Sequence, residues 1–136
     1  MTVGLHAHDE SAELGSASFV HAFFSTAAVR LEYSRWGSRF PAVMDSLYQG
    51  TLPADQVAQA RRELRVVRAE LGDFEPRHVV WDIEDRTAKP PWGDEVSPDV
   101  TSLGDYFITS DGEDLFEVMD DLLAHAEEHG TDVRIA

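Results

Sequence analysis

A single compact α+β domain is the fold the sequence predicts, with α/β as the other arrangement open from the residues alone; about four strands in one small sheet pack with about four helices. Three observations carry that expectation. The chain opens on a strand-like alternation of Val3, Leu5 and Ala7 with more polar neighbours. Leu52, Val57, Ala60, Leu64, Val67 and Leu71 step by threes and fours, the spacing of one buried helix face. No repeat, low-complexity run or linker divides the 136 residues, a length that suits one core of roughly 100–200 residues, so residues 1–136 read as one domain.

Along the chain, Thr2–His8 is the first expected strand. A helix over Ser16–Leu31 follows, with Ser16 or Ser18 as its cap and Phe19, Val20, Phe23, Phe24 and Ala27 at helical spacing. After a loop at Trp36-Gly37, Pro41 opens a short helix carrying Val43, Met44, Leu47 and Tyr48 that ends near Gly50. The helix with the clear stripe has Pro53 in its first turn and stops at Gly72. His78–Ile83 carries apolar residues on both faces and predicts a central strand. Residues 86–99, with Pro90-Pro91, are expected as loop. Tyr106–Thr109 predicts another strand, and Ser110 to Glu113 has the Ser-x-x-Glu spacing of a capping box. The last helix runs through Leu115, Phe116, Met119, Leu122, Leu123 and Ala126 to Gly130, before a short strand at Asp132–Ile135.

Charge narrows the function. Eleven basic against 26 acidic residues give a net charge of −15, which opposes direct nucleic-acid binding because Lys and Arg must neutralise phosphates. The excess is one-sided: residues 1–68 hold seven acids and seven bases, residues 69–136 nineteen acids and four bases. An acidic half is either ordinary solvation or one acidic face that steers a basic partner. The only basic cluster, Arg61, Arg62, Arg65 and Arg68, reads as a solvated helix face, with a contact to an acidic partner as the competing use. The absence of cysteine excludes disulfides, thiolate metal sites and Cys nucleophiles. With no membrane-length apolar run and no signal-peptide pattern at MTVGLHAHDE, the expected location is cytoplasmic.

Candidate chemistry is sparse. His6 and His8 are two apart on an expected strand, but no third ligand is identifiable, so they read as its wet side. His125 and His129 have the four-residue spacing of a zinc-binding helix, yet Glu127 stands one place away from the general base of His-Glu-x-x-His. Imidazoles near a helix C-terminus also suit its dipole, and that structural reading is preferred. Asp82 and Glu84, with His78 as a further candidate ligand, are the one arrangement open to a metal-dependent enzyme, against which the acidic surroundings argue for phosphate substrates. There is no Gly-rich phosphate loop and no Gly-x-Ser-x-Gly elbow. No enzyme, cofactor or resident metal is expected.

A partner-binding surface remains. Asp82, Glu84, Asp85, Trp92, Asp94, Glu95, Asp105, Asp111 and Asp114, with Asp99 and Tyr106 among them, mix carboxylates and aromatics in the loop-rich second half. Aromatics anchor an interface while carboxylates set rate and specificity. A regulatory domain pairing with some other protein would use the same mixture.

The segments Thr2-Val3-Gly4, SFVHAFFST (18–26), WGSRFP with the following MDSLYQG (36–50), VVWDIED (79–85), KPPWGD (89–94) and YFITSDGEDLFEV (106–118) resemble, in order and over nearly the whole chain, the immunity protein 70 family of bacterial polymorphic-toxin systems. VVWDIED followed by PPWG, and TSDG-x-DLF, are its most specific strings. The resemblance implies a small cytoplasmic protein that binds and neutralises the toxin domain of its own or a sister cell. It implies no catalytic or toxin-contacting position. A nuclease toxin, whose active site attracts phosphates, would offer the basic surface an acidic protein complements; a deaminase, an ADP-ribosyltransferase or a protease could offer one too.

Overall fold

The computed structural model describes residues 2–93 and 96–136. Its sheet has four strands, β1 (Thr2–Ala7), β2 (Glu10–Ser16), β3 (Thr51–Leu52) and β4 (Val133–Ile135), in the order β2-β1-β4-β3. Every strand pair is antiparallel, which makes the domain α+β rather than α/β. Four helices accompany it: α1 (Ala17–Leu31), a π-helix over Ala42–Leu47, α2 (Val57–Leu71) and α3 (Leu115–His129), with 3-10 turns at Ala54–Gln56 and Pro76–His78. None of the described helices is long and apolar enough to cross a membrane.

The helix ends follow their local chemistry. Ser16 caps α1 by accepting from the Phe19 amide at 3.2 Å. Gly130 ends α3 in the left-handed region at φ 63°, where a side chain would be strained. At the start of α3 the capping-box expectation is corrected: the cap is Asp114, which accepts from Glu117 N at 3.2 Å. Upstream, Thr109 and Glu113 exchange hydrogen bonds of 2.8 and 3.1 Å, and Ile108 bridges Asp114. Ser110 to Glu113 is therefore the tip of a tight turn. The Tyr106–Thr109 strand shrinks to that single bridge.

Helix α1 is the centre of the core. Ten of its residues are buried, from Phe19 round to Leu31, so it is covered on nearly every side. Phe23 meets Phe24, Phe107 and Phe116 edge-on at 5.3, 5.4 and 5.3 Å, within the 4.5–7 Å range of favourable aromatic pairs. Helices α1 and α3 lie against β1 and β2, and α2 packs on both.

The expected central strand at His78–Ile83 is absent, and the reason is chemical. Its apolar residues do go inside, with Val80 and Trp81 4% and 9% exposed. Its backbone, however, bonds to α1 rather than to another strand. The buried Thr26 hydroxyl accepts from Val80 N at 3.0 Å and stands 3.1 Å from Val80 O. Ser25 Oγ accepts from Ile83 N at 3.1 Å, and Arg30 Nε donates to His78 O at 2.8 Å. Helix hydroxyls thus do what a neighbouring strand would do.

Two buried carboxylates organise the connection between α1 and α2. Glu32, 1% exposed, accepts from the amides of Gly37, Arg39 and Phe40 at 3.0, 2.9 and 3.0 Å. Glu63 of α2 accepts from Ala42 N and Val43 N at 3.3 and 2.9 Å. It supplies the N-terminal partners that the π-helix lacks in its own sequence.

Candidate functional site

The expected site residues fall into distinct settings. Asp82 sits beside α1 and accepts from His21 Nε2 at 3.1 Å, while His21 Nδ1 lies 3.1 Å from the Tyr48 hydroxyl. This Tyr–His–Asp chain joins the π-helix region, α1 and the 79–83 segment. Burial, with Glu84 and Asp82 nearby, pushes the Tyr48 hydroxyl above its usual range, which makes it a poor nucleophile at neutral pH. Glu84 is exposed. Asp85 closes its own turn by accepting from Thr87 N and Oγ1 at 3.1 and 2.6 Å, and these bonds hold its carboxyl below the usual range.

Further along, Asp105 accepts from Thr101 N and Ser102 N at 3.1 and 3.0 Å and is half-buried. Asp111 is exposed at the turn tip. Asp114 caps α3 and also lies 3.3 Å from Arg68. Asp94 and Glu95 lie outside the described residues. Among the described carboxylates of that set, Glu84, Asp85 and Asp111 are exposed, and so is Asp99 in the same loop-rich half.

Aromatics supply the surface relief. Trp92 is 44% exposed; its edge meets Trp81 at 5.4 Å, and its Nε1 donates to the Tyr106 hydroxyl at 3.0 Å. It borders an apolar depression of about 290 Å³ with Phe19, Val96, Val100, Tyr106 and Ile108. Val96 and Ile108 are 39% and 41% exposed, so three large apolar side chains stand partly in water around one hollow. Val96 and Ile108 were not among the expected site residues. Val96 lies in a loop string with no period, and Ile108 lies in the expected Tyr106–Thr109 strand, too short for its alternation to separate surface from core.

The region is not uniformly acidic. Val96, Val100 and Tyr106 also border a second depression, of about 490 Å³, which Arg77, Arg86 and Lys89 line. Nor is the α2 arginine stripe simply solvated. Arg61 donates to Asp120 at 2.9 Å and to Glu127 at 2.9 Å, and Arg39 holds Glu70 through two bonds of 2.7 Å. These pairs cross from the neutral half of the sequence to the acidic half, so folding cancels part of the asymmetry. The bonds from Asp120 and Glu127 hold the Arg61 guanidinium above its usual range, and Arg61 holds the Asp120 carboxyl below its own.

Asp82, Glu84 and His78 do not converge. Among the described residues, the one group of three ligand atoms within 4.8 Å of one another is Asp9, Glu10 and His125. His6 and His8 also part: His6 bonds Ser11 across the β1–β2 ladder at 2.9 Å, while His8 stands in the turn, against α3.

The family model described as immunity protein 70 matches residues 5–135 of the chain. No curated protein and no solved structure matches it.

Proposed function

The chain belongs to the immunity protein 70 family, and from that premise we propose that it neutralises a cognate toxin domain by covering that domain's active site or a basic exosite. Family membership supports the immunity role itself. The contact surface and the mode of inhibition rest on one observation: Trp92, Val96 and Ile108 stand partly exposed around a single apolar hollow. Clustered apolar residues in water mark interaction surfaces, and aromatic anchors supply most of the binding energy of an interface.

Around that anchor, Glu84, Asp99 and Asp111 supply exposed negative charge, with Asp82, Asp85 and Asp105 held by local bonds in fixed positions. Asp94 and Glu95 extend the same chain segment. Fixed carboxylates accelerate encounter with a basic toxin and set its orientation, while the apolar hollow holds it. Inhibition is by occupancy, with no catalytic step, and it takes place in the cytoplasm. A nuclease is the toxin class whose surface best complements this charge.

Co-expression with the C-terminal toxin domain encoded beside the gene tests the reading. Survival of the cells together with a co-purifying complex is the expected result. Undiminished toxicity with no complex would overturn the assignment of that domain as the partner.

A further inference from the structure

Outside the proposed toxin surface, the turn between β1 and β2 meets the last turn of α3. His125 and His129, four apart on one helix face, have ring centres 4.4 Å apart. His8 stacks on His129 at 4.6 Å and lies 6.0 Å from His125. Asp9 Oδ1 is 3.0 Å from His125 Nε2, and Glu10 brings a second carboxylate within 4.8 Å of both. Three imidazoles and two carboxylates, from two stretches of the chain more than a hundred residues apart, therefore share one corner of the surface.

From this we infer a binding site for a divalent transition-metal ion of the zinc type, ligated by His125, His129, His8 and Asp9, with Glu10 in reach. An ion bound at Zn–N distances of about 2.0–2.1 Å sits roughly 3.1 Å from each ring centre, so two rings on one tetrahedral ion have centres about 5.1 Å apart. The ring separations of 4.4, 4.6 and 6.0 Å each lie within about 1 Å of that value, a difference that side-chain rotation covers. Tetrahedral ligand atoms lie about 3.3 Å from one another at such bond lengths, so the 4.8 Å spread of the Asp9, Glu10 and His125 atoms closes by side-chain rotation. Imidazole nitrogens favour zinc, nickel and copper over magnesium and calcium, which take oxygen ligands.

Two features of the backbone and field fit the site. His8 occupies the left-handed region at φ 53°, a strained conformation for a non-glycine residue, and its ring lies against α3. His129 is the last residue of α3, at the negative end of the helix dipole, which favours a cation. A bound ion would pin the β1–β2 turn to the end of α3.

The test is titration of the purified chain with zinc chloride, followed by calorimetry and thermal melting. One ion per chain is expected, with Tm rising by roughly 8–12 °C when free zinc is about a hundredfold above Kd. His125→Gln and His129→Gln should each weaken binding at least tenfold. His8→Asn, which tolerates the left-handed turn, should do likewise. Melting in EDTA shows that each variant folds as wild type does, and His21→Gln and His78→Gln are distant controls whose zinc binding should be unchanged. Magnesium should produce no shift. Absence of saturable zinc binding by the wild-type chain, or zinc binding that survives the His125→Gln/His129→Gln double substitution, would overturn the site.

Discussion

Replacing Glu32 by Gln changes one atom's identity and tests whether a buried carboxylate holds the loop between α1 and the π-helix. The side chain accepts three backbone N–H bonds, one at Oε1 from Gly37 and two at Oε2 from Arg39 and Phe40. A glutamine keeps the better-bonded oxygen and turns its NH₂ on Gly37 N–H, donor against donor. One charge-assisted bond, worth about 1.5–3 kcal/mol, is lost, and two others fall to neutral strength, at about 0.5–1 kcal/mol each. Burying a neutral amide is easier than burying a carboxylate, which returns part of this. The net expectation is a loss of about 2–4 kcal/mol, or roughly 6–16 °C in Tm at this chain length.

Urea unfolding followed by circular dichroism, with the slope m unchanged, reads the loss directly. Glu70→Gln is the control, since it removes the same charge from a pair with Arg39 whose side chains are 39% and 40% exposed. Exposed pairs contribute about 0–1 kcal/mol. If Glu32→Gln destabilises no more than Glu70→Gln, the three bonds add nothing net and the loop is held by packing alone.

Other expectations follow from the same structure. Trp92→Ala should leave the fold intact and weaken toxin binding by about 2–4 kcal/mol, read as an off-rate increase by surface plasmon resonance; an unchanged off-rate would place the anchor elsewhere. Glu84→Lys and Asp111→Lys should slow association at low salt and flatten its salt dependence, which stopped-flow mixing over a range of ionic strength measures. Thr26→Val removes the hydroxyl that serves Val80 N inside the core, and chemical denaturation should show a loss of about 1–3 kcal/mol. Arg61 holds Asp120 below its usual 3.8, so the unfolded chain takes up the proton first. That stabilisation is complete above the unfolded value and is lost as pH falls through the folded one. Urea midpoints of Asp120→Asn should therefore fall less steeply than wild type below about pH 4.

Helices were legible because burial repeats along them: α2 shows its apolar stripe in the sequence, and Ser16 and Gly130 mark ends through purely local chemistry. Strands were harder. β2, ESAELGS, turns only Leu14 and Gly15 fully inward and is reached through a His8-Asp9 turn without glycine. β3 has two residues, too few for any period. His78–Ile83 misled because apolar composition reports burial and not the identity of the hydrogen-bond partner, which here is a helix 54 to 58 residues earlier. The segment Ser110–Glu117 contained both Ser-x-x-Glu and Asp-x-x-Glu, and only the closure of the Ile108–Asp114 turn chose between them.

For the candidate site, residue types were legible and their commitments were not. Nothing near Asp82 in sequence announces His21, 61 positions away, and nothing near Arg61 announces Asp120 or Glu127. The histidine pairs show the same limit. His125 and His129 were visible as a pair on one helix face, but His8 joins them only when the β1–β2 turn reaches the end of α3.

The strand order also sets a timetable for biosynthesis. β1 has β2 on one side within seconds of emerging, yet its other neighbour is built from residues 133–135. At about 5–20 residues per second, a ribosome needs roughly 6–25 s to pass from Ala7 to Val133. Throughout that interval the nascent chain carries a strand edge with unpaired amides and carbonyls, open to chaperones and to neighbouring chains on the same message. Each copy can complete its sheet only after translation has passed Ile135.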